Sequence, residues 1–331
     1  SASSGARLIG STANSDQNTL IGGSAGGNEF VLGAISTNSL VGGSNGLDTL
    51  TFSSATTIND ATANGQIHDG STASISKVGT LKFGDNGNNI VLGADALVAG
   101  IRTLVGGEGD DDGTGNIFNT SAYGSAGVLF QITDQDYLAN ITGITGGTGV
   151  DTLKFSRDGV SVTDENVANL FNIDVLRTAN GNNRFLFDDA YLIAGIETII
   201  GGTGRDTIDM ADIGLYTPAT DADIITVDLS AGSGGYTLIS NTQNFEYAKV
   251  IGSTTNTGSV IIDGATLEDD DFRNMYQGNI GSLFMRVGSN NEVTLAGNAL
   301  ASGLDILTMS SGDDTIDASA FTGTLAINGG D

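Results

Sequence analysis

The sequence predicts an all-β chain: a β-solenoid of the parallel β-helix or β-roll kind, built of degenerate glycine-rich repeats, with a few short helices. Three observations carry that prediction. Of 331 residues 50 are glycine, against one proline and no cysteine. Short β-favouring runs such as Thr152-Leu-Lys-Phe155, Thr207-Ile-Asp-Met210 and Phe185-Leu-Phe187 are bounded by Gly, Asn and Asp, the pattern of strands separated by turns. Above all, the chain repeats itself, and stacked repeats bury a core that no single unit could bury alone.

The repeat has two main blocks. One reads IIGGTGRDTIDM over 199–210, with relatives ITGGTGVDTLKF over 144–155, LVGGEGDDDG over 104–113, LVGGSNGLDTLTF over 40–52 and a degenerate TMSSGDDTIDAS over 308–319. The other carries Asn-Asn ahead of a strand, starting at Gly87, Gly181 and Ser289, and each copy leads into a glycine turn. Asn183 recurs as Asn291, Gly195 as Gly303 and Gly204 as Gly312, all at one common offset, so a long super-repeat runs without a gap. In the preceding copy the step from Asn89 to Asn183 is one shorter than the step from Gly106 to Gly201, which predicts a single inserted residue. The whole of 1–331 reads as one continuous repeat region, with super-repeats over about 1–78, 79–161, 162–265 and 266–331.

A third block, 162–178, resembles 266–287. Short helices are expected over 266–276, which opens on a Thr-x-x-Asp cap and an acidic first turn, and over 164–171. Glycine provides the positive φ that corners require. Asn at equivalent corners either stacks into side-chain ladders that satisfy buried polar groups, or simply tolerates left-handed turns; the sequence leaves both open.

Composition excludes some partners. With 39 acidic residues against 12 basic and a formal charge of −27, the surface repels nucleic-acid phosphates and anionic headgroups and attracts cations. No stretch approaches the length of a membrane span, so no membrane insertion is expected. The opening SASSGAR lacks the charged and apolar segments of a signal peptide, and the final INGGD reads as the start of another turn; a processed or truncated chain is expected.

The chemistry-bearing element is Gly-Gly-x-Gly-x-Asp. A hard cation wants six or more oxygens, which a glycine turn can supply as backbone carbonyls while an Asp adds charge. Gly146, Gly147, Gly149 and Asp151 fit this pattern, as do Gly201, Gly202, Gly204 and Asp206, and Gly106, Gly107, Gly109 and Asp111, so these are the candidate Ca2+ ligands. The competing reading makes each a corner-forming turn only.

On these motifs the chain resembles the RTX, or hemolysin-type calcium-binding repeat, proteins, especially bacterial surface-layer proteins and large adhesins. The resemblance implies export by a type I system, calcium-dependent folding outside the cell, and self-association into a lattice or fibre at the cell surface, with cell-surface polysaccharide as a further partner. The turns here, opening at Gly106, Gly146 and Gly201, stand far apart in the chain, whereas RTX nonapeptides are tandem and share each ion.

No enzyme is expected. His68 is the single histidine and lies in a turn-like segment, so no Ser-His-Asp relay is signalled. A β-helical polysaccharide lyase or epimerase would draw on Arg177, Arg184, Arg205 and Lys154, which occupy different repeat positions. A carbohydrate- or ice-binding solenoid would need regular Thr or aromatic ladders, and the sequence shows no such periodicity. The acidic runs 110–112 and 268–271 fit cation bridging between molecules, a solvated face, or helix N-termini.

Overall fold

A computed structural model of the chain describes residues 5, 7–9, 19–22, 26–32, 39–41, 48–53, 55–60, 75–84, 87–106, 115–188, 194–213, 225–275, 277–286 and 290–330. The chain divides into two compact units, Ser1–Ser156 with Asn169–Asp174, and Arg157–Ala168 with Val175–Asp331. Each is mostly strand, and every strand pairing described in it is parallel.

In the first unit, Glu29–Leu32, Asp48–Phe52, Val78–Lys82, Thr103–Val105, Leu129–Ile132 and Thr152–Phe155 lie side by side in one sheet. A second sheet orders Leu170–Phe171, Gly143–Thr145, Ile117–Asn119, Asn89–Val91 and Thr57–Asn59. The chain alternates between these sheets, so sequence neighbours sit apart and sheet neighbours are remote in sequence. Most strands span three to five residues, too short to persist alone. Their stability comes from stacking. Phe30, Leu50, Leu81, Leu104, Phe130 and Leu153 occupy one register line, each at most 1% exposed. Burying a side chain of this size contributes about 1.5–3 kcal/mol.

The second unit repeats the arrangement. Its largest sheet is eight-stranded, and Val162, Phe185, Ile208, Leu238, Val260, Leu283 and Leu307 form its fully buried inner line. The long super-repeat is visible as pairing. Arg184 partners Thr207, and one super-repeat later Glu292 partners Thr315. The first pair belongs to the eight-stranded sheet and the second to a separate three-stranded one, so the repeat preserves register while moving to another sheet.

Register also revises the spacing of the earlier copy. Ile90 and Phe185 are the buried central residues of equivalent strands, which makes Asn88, not Asn89, the counterpart of Asn183. The offset is then the same at both blocks, and the extra residue falls in the turn between Gly181 and Asn183. The expected helices are shorter than predicted. Over 164–171 the helix is Asp164–Val167, capped by Thr163 and Asn166, and a strand follows at Leu170–Phe171. Thr266–Leu267 is a strand, and the turn after it is a 3-10 helix at Asp269–Phe272 whose capping box is Glu268 with Asp271. Among the described residues no helix is long and apolar enough to cross a membrane.

Candidate functional site

Both described glycine turns hold a buried aspartate. Asp151 is fully buried, its Oδ1 accepting from the Val128 N–H at 2.7 Å and its Oδ2 from the Gly147 N–H at 2.6 Å. Its own N–H donates to Asp174 Oδ2 at 2.7 Å. Asp206 is 1% exposed, and its Oδ1 accepts from both the backbone N–H and the Nδ2 of Asn183, at 3.0 and 2.8 Å. Its Oδ2 is buried without a hydrogen-bond partner among the described residues. Burial raises the pKa of each carboxyl, opposed at Asp151 by the Val128 and Gly147 N–H groups and at Asp206 by the two Asn183 bonds.

The glycines are explained by close approach to the neighbouring strand's turn. A Cβ on Gly147 would lie 2.7 Å from Gly124 O, and one on Gly149 would lie 2.5 Å from Ser125 O. Side chains on Gly202 and Gly204 would run into the carbonyls of Ala179 and Gly181. A side chain on Gly146 would meet Asn172 O and the Asp151 carboxylate, and one on Gly201 would meet Asp206 Oδ2. Gly106 packs against the Tyr137 hydroxyl and Phe118. Its partners Gly107, Gly109 and Asp111 lie outside the described residues, as do His68 and the acidic run 110–112.

The two sequence blocks turn out to be halves of one device. The backbone N–H and Nδ2 of Asn28 both donate to Asp48 Oδ1, those of Asn88 to Asn116 Oδ1, those of Asn183 to Asp206 Oδ1, and those of Asn291 to Asp314 Oδ1, all at 2.7–3.0 Å. Asn88 and Asn183 pass the pattern on by accepting from the Thr56 and Val160 N–H groups. The Asn of one turn therefore stacks on the Asp, or in one rung the Asn, of the next, in the ladder arrangement that the sequence had left open against the simple turn. Each rung satisfies the backbone N–H and side-chain amide of its Asn, while Oδ2 of Asp206 and of Asp314 stays buried without a partner among the described residues.

The acidic run 268–271 is spent on helix starts. Asp269 accepts from the N–H groups of Ala296, Asn298 and Ala299 at 2.7–3.0 Å, ahead of the helix Gly297–Ala301. Asp60 does the same for Ala94–Ala99, through Gly93 and Ala96. Asp270 and Glu246 both pair with Arg273. These cross-strand caps escape sequence reasoning because acid and helix are 27–36 residues apart.

Asp151 accepts an N–H group on each oxygen, whereas Asp206 accepts both Asn183 bonds on Oδ1 and has an Oδ2 that carries no hydrogen bond among the described residues. Among the described residues there is no cluster of three His, Cys, Asp or Glu side chains placed to hold a metal. Arg177, Arg184 and Arg205 stand exposed on the second unit and Lys154 is half-buried on the first. A groove of about 530 Å³ in the second unit is lined by Ser230, Ser253, Thr254, Gln277, Asn279 and Ser302 with apolar neighbours, and no ionisable side chain. No family model, curated protein or solved structure matches the chain.

Proposed function

We propose that the chain is a structural, non-enzymatic segment of a secreted bacterial surface protein, a β-solenoid that self-associates into a lattice or fibre. The observation that supports this reading most directly is the way the repeat is used. Glycine turns, Asn–Asp rungs and inner apolar lines all serve stacking of one strand on the next. Such units grow by addition, with each contacting its neighbours. The likeness of the turns to RTX repeats adds the extracellular location and calcium.

Calcium enters this proposal as a stabiliser of folding or assembly, with the glycine turns 106–111, 146–151 and 201–206 as its candidate ligands. The test compares purified chain in calcium and in EDTA by circular dichroism, thermal melting and electron microscopy. Loss of ordered assemblies in EDTA with restoration by calcium is the expected result. Unchanged melting and assembly would remove calcium from the proposal, and turnover of a uronic-acid polymer would replace it with the lyase reading.

A further inference from the structure

Two Asn–Gly pairs lie wholly within the described residues, Asn180–Gly181 and Asn328–Gly329, and the fold treats them in opposite ways. In such a pair the side-chain carboxamide is followed by a backbone nitrogen that no neighbouring side chain shields. That nitrogen can attack the carboxamide carbon, Cγ, when the main chain is free to turn the two together and the N–H is not held elsewhere. Asn180 meets neither condition. Its N–H donates to Asp158 Oδ1 at 3.0 Å, its carbonyl accepts from the Gly159 N–H at 3.0 Å, and its Oδ1 accepts from Thr203 Oγ1 at 2.8 Å. The Gly181 N–H, the attacking group, is itself spent on Thr203 O at 3.0 Å. Gly181 is also hemmed in, since a Cβ there would lie 2.9 Å from Gly159 N. Asn180 is thus exposed to water but tied on both sides.

Asn328 is the reverse case. It ends the strand Ala326–Asn328, which is exposed along its whole length. Its carbonyl accepts from the Met309 N–H at 2.8 Å, which keeps it in register with Thr308. The Gly329 N–H, by contrast, makes no hydrogen bond among the described residues. Nothing stands within 4 Å of the place where a Gly329 Cβ would be, so a ring has room to close. The bond that Asn328 Oδ1 accepts from the Gly330 N–H is long, at 3.4 Å, and turns the carboxamide back over Gly329.

We infer that Asn328 is a site of spontaneous deamidation, and that the stacked turns protect Asn180 from the same reaction. The Gly329 nitrogen gives its proton to solvent and attacks Asn328 Cγ. The bond from Cγ to the side-chain nitrogen breaks, and that nitrogen takes up a proton and leaves as ammonia. The product is a five-membered succinimide, which water opens at either carbonyl to give aspartate or isoaspartate. The sum is one water consumed and one ammonia released, with no change of oxidation state. Either product adds a negative charge to a strongly acidic chain. Isoaspartate also lengthens the main chain by a methylene just before Gly330, which sits against Ser310 O. The modification therefore loosens the stacking of Ala326–Asn328 on Ile306–Thr308. It requires no partner, so it is separable from the proposed role in assembly.

The experiment incubates the full chain in mildly alkaline buffer and follows amide-to-acid conversion at each asparagine by peptide mass mapping, with enzymatic methylation marking isoaspartate. In the folded chain Asn328 is expected to convert about tenfold or more faster than Asn180, because only there can the nitrogen reach Cγ. Its rate should rise with pH, since the attacking nitrogen must lose its proton. Gly329→Val should slow the reaction by about the same factor, by crowding the nitrogen, with the circular dichroism spectrum unchanged. In guanidinium chloride both pairs are free to turn, and the two rates should become comparable. Equal rates at Asn180 and Asn328 in the folded chain overturn the inference. So does an Asn328 that stays intact when folded and converts only in denaturant. A difference that persists undiminished in denaturant overturns it as well, by placing the cause in the flanking residues rather than in the fold.

Discussion

The turns at Gly146–Asp151 and Gly201–Asp206 share a sequence pattern and differ in what their aspartates do. Asp151 has a donor on each oxygen, both of them backbone N–H groups. Asp206 has both of its donors on one oxygen, one of them an amide side chain, and its other oxygen is buried without a partner among the described residues. The ladder contains a third case. Asn116 fills the same position and receives the same two bonds from Asn88, at 2.8 and 2.9 Å. A position that asks for one accepting oxygen takes Asn or Asp, whereas one that asks for two takes only a carboxylate. The motif therefore marks a place in the fold rather than a single chemistry.

The largest effect should come from Asp151→Ala, which leaves the Val128 and Gly147 N–H groups buried without acceptors. At about 1–3 kcal/mol for each orphaned donor, urea unfolding should show a loss of about 2–6 kcal/mol. Next comes Gly202→Ala, whose Cβ overlaps a backbone carbonyl that cannot swing away. A loss of about 1–3 kcal/mol is expected, and more than for Gly147→Ala, where the approach is longer. If the two glycine variants melted together with wild type, close stacking would not be the reason for these residues.

Asp151→Asn should cost about 1–3 kcal/mol, because the new NH2 faces an N–H donor. Asp206→Asn keeps the single oxygen that Asn183 needs and removes a buried charge, so at pH 7 it should change stability by less than about 1 kcal/mol, toward greater stability. Equal losses for the two Asn variants would dissolve the distinction between the turns.

The smallest effect is the pH dependence. Burial raises both carboxyls above the ordinary value of 3.8 in the folded chain, so the folded state holds protons that the unfolded state has released. The corresponding stability is fully present below that ordinary value and is lost as pH rises through the raised ones. Thermal melting should therefore rise as pH falls from 7 toward 4, and less steeply in Asp206→Asn.

Much of the architecture was legible. Short strands, glycine corners and the long period that carries Asn183 onto Asn291 are local features or gapless recurrences, and both survive as pairing register between Arg184–Thr207 and Glu292–Thr315. The site was legible only in part. Asp151 and Asp206 stand out in the sequence by their motif, but apart from Gly147 within the turn the donors they accept from do not, because Val128 and Asn183 are each 23 residues away. The helix-capping role of Asp269 was hidden for the same reason, its helix lying 27–30 residues on.

By itself, then, the sequence determined that this is a glycine-cornered chain of short strands whose Asn and Asp recur at equivalent positions, because turn and strand preferences are written over a few residues. Only the tertiary structure decided which residues meet. Thr207, Thr237, Ser259 and Ser282 stand at unequal spacings with no period to detect, yet parallel pairing sets them in one line. Connections of unequal length absorb the irregularity, and hydrogen-bond register restores the order.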